Sequence, residues 1–309
     1  MAAVIHSKIV RLDELIPRPE DIELEDQDVE MLLPWIFRDD TDESDTESPL
    51  KEDIMFTCFF EVMRLYSARV EEWNETEGPE SPAMGIKNAL KPRQALILPK
   101  KSWHMSVDQE EGSFIKFQGL ILKHLMRKVF RDLGGLSHAH LGISGSQHKM
   151  RYVIGGRTYG TKSRGNVSIR LGNEHVPIIS FTGWYEGQTW HGFLVETLSV
   201  MLGQLARNFA YLSRRSRDQE VFVIGFHGYK MHIARGYFTR EMITRVHVEG
   251  CSEGELVDLQ FSRGFDLYFK EQWIEATRAL ARLARYILSG EAKVAAVDRW
   301  LAGGTVTED

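Results

Sequence analysis

The segment GNVSIRL at residues 165–171, followed by VPIISFT at residues 176–182, is the stretch of sequence that decides the fold. Both segments are short and rich in β-branched residues, which favour extended backbone. They therefore predict two adjacent strands. Among their apolar residues lie the neutral polar side chains of Asn166, Ser180 and Thr182, and the role of these polar residues is the central question that the sequence raises.

Helices and further strands are predicted on both sides of this pair. Apolar residues at helical spacing predict helices over about residues 51–73, 113–133, 190–212, 272–288 and 292–301. Short β-rich runs predict strands over residues 150–154, 166–170, 176–182, 220–226, 230–238 and 256–261, and residues 155–160 predict a hairpin turn. This alternation predicts the α/β class, with a small central mixed sheet flanked by helices and extra N-terminal helices.

Charge is distributed unevenly along the 309 residues. Residues 1–50 contain fifteen Asp or Glu and four Lys or Arg, whereas residues 51–309 contain 29 acidic and 34 basic residues. Acidic runs around large apolar residues are typical of segments that fold against a partner. We therefore expect residues 1–50 to form a flexible acidic tail, residues 51–108 a helical extension and loop, and residues 109–309 the α/β core.

Two arrangements of the acidic segment are open. The segment could bind a protein partner or lie across the protein's own basic surface, masking that surface by charge attraction. Alternatively, the apolar patch MLLPWIF at residues 31–37 could pack against the rest of the chain.

Composition also indicates the setting of the protein. No apolar run approaches the roughly 18 to 20 residues that a membrane-spanning helix requires. The first residues lack the basic and then apolar pattern of a secretory signal. Cys58 and Cys251 give no disulfide framework. We therefore expect an intracellular protein, nuclear or cytoplasmic, with no membrane partner.

Basic and aromatic residues near the predicted strand pair favour a binding surface. Cationic side chains mixed with aromatic rings are typical of nucleic-acid grooves. The candidates for binding are Arg151, Arg157, Lys162, Arg164, Trp184, Tyr185, Trp190, His191 and Gln204. A protein partner is the other possibility for this surface.

The region from about residue 113 to residue 288 resembles the PD-(D/E)xK nuclease-like superfamily, and is most similar to its fungal members. The resemblance is carried by GNVSIRL at 165–171, by the segment from VPIISFTGW through QLARNFAYL at 176–212, by EVFVIGFHGYKMHIARGYF at 220–238, and by residues 265–290. It implies a restriction-endonuclease-like core. It also implies that Gln204 lies near the site, on the helix that follows the third core strand.

The resemblance further implies a metal-binding motif, from which this sequence departs. In active members the second core strand supplies an Asp and the third supplies Glu-x-Lys, and the two carboxylates hold Mg²⁺. Asn166, Ser180 and Thr182 stand at these degenerate positions. Because Mg²⁺ prefers carboxylate oxygens, we expect no metal, no other cofactor and no inherited nuclease chemistry. The sequence therefore favours a non-catalytic, nuclease-like binding or regulatory protein.

Two alternatives keep an enzyme possible. In the first, the protein is an active Mg²⁺-dependent nuclease whose ligands have moved to Glu111, Glu174 or Glu186, with Lys162 in place of the missing lysine. Glu196 is also close in sequence, but we expect it on the polar side of its helix. In the second, the remodelled pocket performs small-molecule chemistry with polar groups such as Asn166, Ser180, Thr182, His191 and Gln204.

Overall fold

The computed structural model describes residues 2–37, 54–77, 94–97, 113–133, 141–185, 188–211, 218–252 and 254–303. The described strands, β1 to β11, are Ala2–Ile9, Gln94–Ile97, Leu141–Ser144, His148–Ile154, Arg157–Ser163, Gly165–Leu171, Glu174–Thr182, Gln219–His227, Lys230–Phe238, Glu255–Phe261 and Phe265–Asp266. The described helices, α1 to α8, are Leu12–Leu15, Ile22–Met31, Ile54–Glu77, Ser113–Asp132, Trp190–Phe209, Arg240–Val248, Lys270–Leu288 and Ala295–Gly303.

The larger sheet is mixed. Its strands follow the order β2-β1-β10-β9-β8-β7-β6-β3, and β11 pairs with β9. The pairs β7–β8 and β1–β10 are parallel, while the other neighbouring strands are antiparallel. Strands β4 and β5 form a separate hairpin. The predicted α/β class, with a mixed sheet flanked by helices, is therefore confirmed at this level.

The two faces of the sheet contribute to two apolar clusters. On one face, residues such as Ile179 and Phe181 of β7 pack in the cluster formed by α3, α4 and α7. On the other face, residues such as Val223 of β8 pack with the apolar side of α5. Because alternate residues of a strand point to opposite faces, Ser180 and Thr182 lie on the face that α5 covers.

A β-bulge fixes the position of α5 over this face. The pairing of β6 with β7 shifts register between Val167 and Ser168, next to Pro177. Proline cannot donate a ladder hydrogen bond and suits a bulge. The carbonyl of Pro177 accepts from Asn208 Nδ2 at 2.8 Å, and that of Ile178 accepts from Gln204 Nε2 at 2.8 Å. Two amide side chains of α5 therefore satisfy carbonyls that the strands leave open.

Much of the predicted acidic tail belongs to the folded unit. Strand β1 pairs with β10 and β2, and α2 packs against α7. The buried carboxylate of Asp28 pairs with Arg285, and Glu25 pairs with Arg282. The prediction of a flexible segment is therefore wrong for residues 2–37, because these acids have basic partners on α7. Residues 38–50 lie outside the described residues.

Leu32 and Phe37 of the apolar patch at residues 31–37 pack against the protein itself, whereas Met31 and Ile36 are exposed. Leu32 is buried, and its carbonyl accepts a hydrogen bond from Trp273 Nε1 at 3.0 Å. The ring of Phe37 lies 5.8 Å from that of Trp273. This is the self-packing alternative that the sequence left open.

The structure contains elements that the sequence did not predict. Arg157–Ser163 is a full strand of the β4–β5 hairpin, where a turn was expected at residues 155–160. Helix α6 was not predicted, and none of its residues is buried. None of the described helices combines the length and the apolar character needed to cross a membrane.

Candidate functional site

The three degenerate motif positions lie together on the sheet. Asn166 of β6 is the cross-strand partner of Ser180 of β7. Thr182, two residues further along β7, is the partner of Gly225 on β8. Because positions two apart share a face, all three polar side chains lie on the face covered by α5. The two segments are adjacent strands, as the sequence predicts.

These positions are buried beneath the helix. Ser180 and Thr182 are 0% exposed and Asn166 is 6% exposed. The hydroxyl oxygens of Ser180 and Thr182 have no hydrogen-bond partner among the described residues. Neutral, buried groups of this kind do not line an open groove that could admit a nucleic-acid strand.

Arg164 and Glu196 form a buried ion pair on the same side of the sheet. Arg164 Nε lies 3.9 Å from Glu196 Oε1, and Gln188 Nε2 donates to Glu196 Oε2 at 3.0 Å. Burial raises the pKa of the Glu196 carboxyl, while Arg164 and then Gln188 act in the opposite direction. Glu196 is therefore not on a solvated side of its helix, and Arg164 is not part of an exposed basic surface, contrary to both expectations.

Two histidines that the sequence analysis did not select extend this face. His227 ends β8, and His232 of β9 pairs with Gly225, so both rings lie on the side covered by α5. Burial lowers the pKa of His227 to about 4 and that of His232 to about 3. Both rings are therefore neutral at neutral pH. The sequence predicted a hairpin over residues 220–238 with residues 227–229 at its turn. In the structure β8 ends at His227, which pairs with Lys230, and the shorter turn at residues 228–229 places His227 and His232 on one face.

The aromatic residues predicted to stack on bases point inward. Trp184 and Trp190 are 2% and 3% exposed. Trp184 Nε1 donates to the carbonyl of Gln188 at 3.2 Å, and the Trp190 ring lies 5.2 Å from that of His227 and 5.4 Å from that of His232. A stacking role for Trp184 and Trp190 is therefore not compatible with their positions. Tyr185 and His191 are partly buried.

Among the proposed substitute ligands that the structure describes, Glu174 lies far from Asn166. Glu174 begins β7, six residues before Ser180, which corresponds to about 20 Å of strand. There it contacts Arg207 and Tyr211 at 3.4 Å and 2.9 Å. Lys162 lies on the β4–β5 hairpin. Glu111 and Glu186 lie outside the described residues.

Gln204 is buried against the backbone of β7 and does not line an open pocket. It is 1% exposed, and its amide donates to the bulge carbonyl of Ile178. Gln204 belongs to α5, which covers the face that carries Asn166, Ser180 and Thr182, and its hydrogen bond reaches the backbone two residues before Ser180.

The β4–β5 hairpin carries the exposed part of the predicted basic surface. Lys149 of β4 is directly opposite Lys162 of β5, and Arg151 follows on the same face. Lys149 and Arg151 are exposed and Lys162 is partly buried. Arg157 is exposed at the hairpin turn. We call Lys149, Arg151 and Lys162 the cationic hairpin face.

Among the described residues, no group of three or more His, Cys, Asp or Glu side chains is arranged to hold a metal ion. Comparison of the chain with protein-family models and with curated proteins gives no match.

Proposed function

We propose that this protein is a non-catalytic relative of the PD-(D/E)xK nucleases that binds nucleic acid through the cationic hairpin face without cutting it. The observation that carries the proposal is the row formed by Asn166 and Ser180, with Thr182 beside it. These residues stand where the family resemblance puts Asp and Glu-x-Lys, and all three are neutral and buried. The proposal assigns the protein to the nucleus or the cytoplasm.

The order of the core strands supports a restriction-endonuclease-like core. After α4 come β3, β6 and β7, which are neighbours in the sheet. Counted without the β4–β5 hairpin, Asn166 is on the second of these strands and Ser180 and Thr182 are on the third, which supports the proposed assignment of the motif positions. Helix α5 then leads to β8, which is parallel to β7. The hairpin β4–β5 is inserted between the first and second core strands.

The chemistry of the side chains supports the loss of catalysis. Mg²⁺ takes oxygen ligands and is usually held by one or two carboxylates. An amide and two hydroxyl groups supply no negative charge to offset the ion. The buried carboxylate of Glu196, on the same face, is already paired with Arg164 and Gln188.

The cationic hairpin face supports binding to a polyanion. Lys149 and Lys162 are cross-strand partners and Arg151 follows on the same face, so three cationic side chains lie close together on the hairpin. A phosphate group can accept hydrogen bonds from such side chains. Phosphate contacts of this kind hold a protein on nucleic acid without reading its sequence.

The first test separates binding from cleavage. Mg²⁺ and Mn²⁺ are titrated into the full chain by calorimetry, and labelled DNA and RNA are incubated with the protein and each metal. We expect no cleavage, because the motif positions carry no carboxylate. Cleavage that a chelator abolishes would overturn the proposal in favour of relocated ligands.

The second test addresses the binding surface. Fluorescence anisotropy measures the affinity of the full chain for labelled double-stranded DNA and single-stranded RNA at several salt concentrations. The variant Lys149→Gln/Arg151→Gln is expected to bind more weakly, with the salt slope reduced by about one per lost phosphate contact.

Lys8→Gln provides the matched control for this test. Lys8 is an exposed lysine of β1 in the larger sheet, whereas the cationic hairpin face belongs to the separate β4–β5 hairpin. It should bind nucleic acid as the unmodified protein does. Equal affinities for all three proteins, or no binding at low salt, would contradict the proposal and favour a protein partner.

A further inference from the structure

A cavity opens at the edge of the sheet where several strands end. Strands β1, β7, β8 and β10 run in one direction, so their carboxyl ends meet at this edge. The cavity has a volume of about 410 Å³ and lies between the end of β1, the start of β9 and the start of α7. Ligands of open α/β sheets bind in crevices at the carboxyl ends of strands. The cavity involves none of the degenerate motif residues.

Two cationic side chains give the cavity a positive wall. Lys230, the first residue of β9, has no carboxylate within ion-pair distance among the described residues. Arg263, which follows β10, pairs with Glu275. The pairing neutralises the charge of Arg263, so Lys230 is the cation that can attract an anion to the cavity. Asp266, the cross-strand neighbour of Lys230, does not line the cavity.

Polar donors from other elements face the same space. The Gln272 side chain lines the cavity, and its Oε1 accepts a hydrogen bond from the backbone of Asp266 at 2.8 Å. This contact orients the amide and leaves its two N–H groups as donors. Trp190, which begins the 20-residue helix α5, also lines the cavity. The positive end of a helix macrodipole favours an anion near its first turn.

The remaining wall is apolar or neutral. Ile9 and the indole of Trp190 offer an apolar surface. The buried ring of His232 has Nδ1 at 3.4 Å from the Ser262 carbonyl, and its Nε2 has no hydrogen-bond partner among the described residues. Small-molecule sites commonly combine an apolar wall with a few polar groups that fix orientation.

We propose that this cavity is a binding site for a small organic phosphate monoester. The phosphate would lie against Lys230, Arg263 and the Gln272 amide, and a planar apolar group would lie against Trp190 and Ile9. A phosphate has three acceptor oxygens and nearly two negative charges at neutral pH, which suits donors that come from several elements better than a single carboxylate does. The site is separate from the cationic hairpin face and does not depend on the proposed function.

Calorimetry on the full chain tests the chemical class. The probes are phenyl phosphate, inorganic phosphate, benzoate and benzyl alcohol. Phenyl phosphate should bind most tightly, because it combines the dianion with a ring. Inorganic phosphate should bind more weakly because it lacks the ring, and benzoate because it has fewer acceptors. Benzyl alcohol should show no binding. Tightest binding by benzoate would overturn the assignment to phosphate, and binding of the alcohol as tight as that of phenyl phosphate would overturn an anion site altogether.

Variants of the two cations test the location. Lys230→Gln and Arg263→Gln should each weaken phenyl phosphate binding by about tenfold, the size expected for one charge-assisted hydrogen bond. Both side chains are at the surface edge of the cavity, and circular dichroism verifies that the variants fold. Lys116→Gln, which changes an exposed lysine of α4 that does not line the cavity, should bind phenyl phosphate normally.

Unchanged affinity in both variants would overturn the proposal, as would the absence of any heat of binding for phenyl phosphate with the unmodified protein. The nucleic-acid experiment changes residues of the cationic hairpin face, whereas this experiment changes Lys230 and Arg263 of the cavity. Each proposal can therefore fail without the other.

Discussion

The hydroxyl oxygen of Thr182 occupies the space that a β-carbon on Gly225 would require. The two residues are cross-strand partners in the parallel pair β7–β8. At the position where the family resemblance puts a catalytic lysine, this chain thus has a small side chain that is accommodated by a glycine on the next strand. The site is closed by packing as well as being neutral.

Gly225→Ala should therefore destabilise the protein by about 1–3 kcal/mol, as overpacked cores do. Thr182→Ala alone should change the free energy of unfolding by less than about 1 kcal/mol, because its hydroxyl has no described partner. Combining the two should recover part of the loss, since the added methyl group then has room. Urea denaturation of the four proteins measures this coupling. Strictly additive effects would show that the two residues do not interact.

Local periodicity explains what could be predicted from the sequence. The apolar side of α5 and the alternating pattern of the β8–β9 hairpin depend on residues that are close together in the sequence. Both elements were therefore predicted close to their observed bounds. The pairing of Asp28 with Arg285 joins residues 257 positions apart. A local sequence pattern around Asp28 cannot identify a partner so far along the chain. From the sequence alone, the acidic segment is therefore interpreted as a tail.

Burial of the candidate site could not be predicted for a related reason. Aromatic residues beside a polar loop occur both in binding grooves and in cores, and the sequence around Trp184 and Trp190 fits either. The direction of these rings depends on α5 covering the sheet and on Gln118 of α4, whose Oε1 accepts the backbone N–H of Trp184 at 2.7 Å. Those contacts join residues that are distant in the sequence, so the direction of the two rings cannot be predicted from a local sequence pattern.

The ion pair that attaches α2 to α7 should contribute strongly to stability. Arg285 donates to both carboxylate oxygens of Asp28, at 2.5 Å and 2.6 Å, and the Asp28 side chain is 1% exposed. Asp28→Ala leaves a partly buried guanidinium without this partner. We expect a loss of about 3 kcal/mol in the free energy of unfolding, measured by chemical denaturation.

Asp26→Ala is the matched control for this prediction. Asp26 lies on the same helix and pairs with Arg278 at 2.6 Å, but its side chain is 59% exposed. An exposed pair of this kind should contribute less than about 1 kcal/mol. Similar losses in the two variants would contradict the assignment of stability to the buried pair.

Asn208 joins three parts of the structure through one amide. Its Nδ2 donates to the carbonyls of Pro177 and Gln204, and its Oδ1 accepts from the backbone of Ala296. Asn208→Leu, of similar size, leaves these buried groups unpaired and should cost about 2–4 kcal/mol. Arg207→Ala, on the exposed side of the same turn, should cost less than about 1 kcal/mol. Thermal unfolding of both variants measures the difference, and equal melting temperatures would disprove the bridging role.

The buried histidines should make stability depend on pH in a defined window. The pKa is lowered to about 4 for His227 and to about 3 for His232, from an ordinary value of 6.5. Below pH 6.5 the unfolded chain binds protons on these rings while the folded chain does not. Their contribution to stability is therefore complete above pH 6.5 and is lost as the pH falls from 6.5 through about 4 and then 3.

The size of this effect follows from the linkage between proton binding and folding. Each histidine should lower the free energy of unfolding by roughly 2 kcal/mol between pH 7 and pH 5. Carboxylates also titrate as the solution is acidified, so the informative quantity is the difference between two pH profiles. Urea denaturation of the unmodified protein and of His227→Gln/His232→Gln, at pH 7 and at pH 5, should show a smaller acid-induced loss in the variant. Parallel profiles would mean that the rings bind protons equally well in the folded and unfolded chains. That result would contradict the conclusion that the face beneath α5 is closed and neutral.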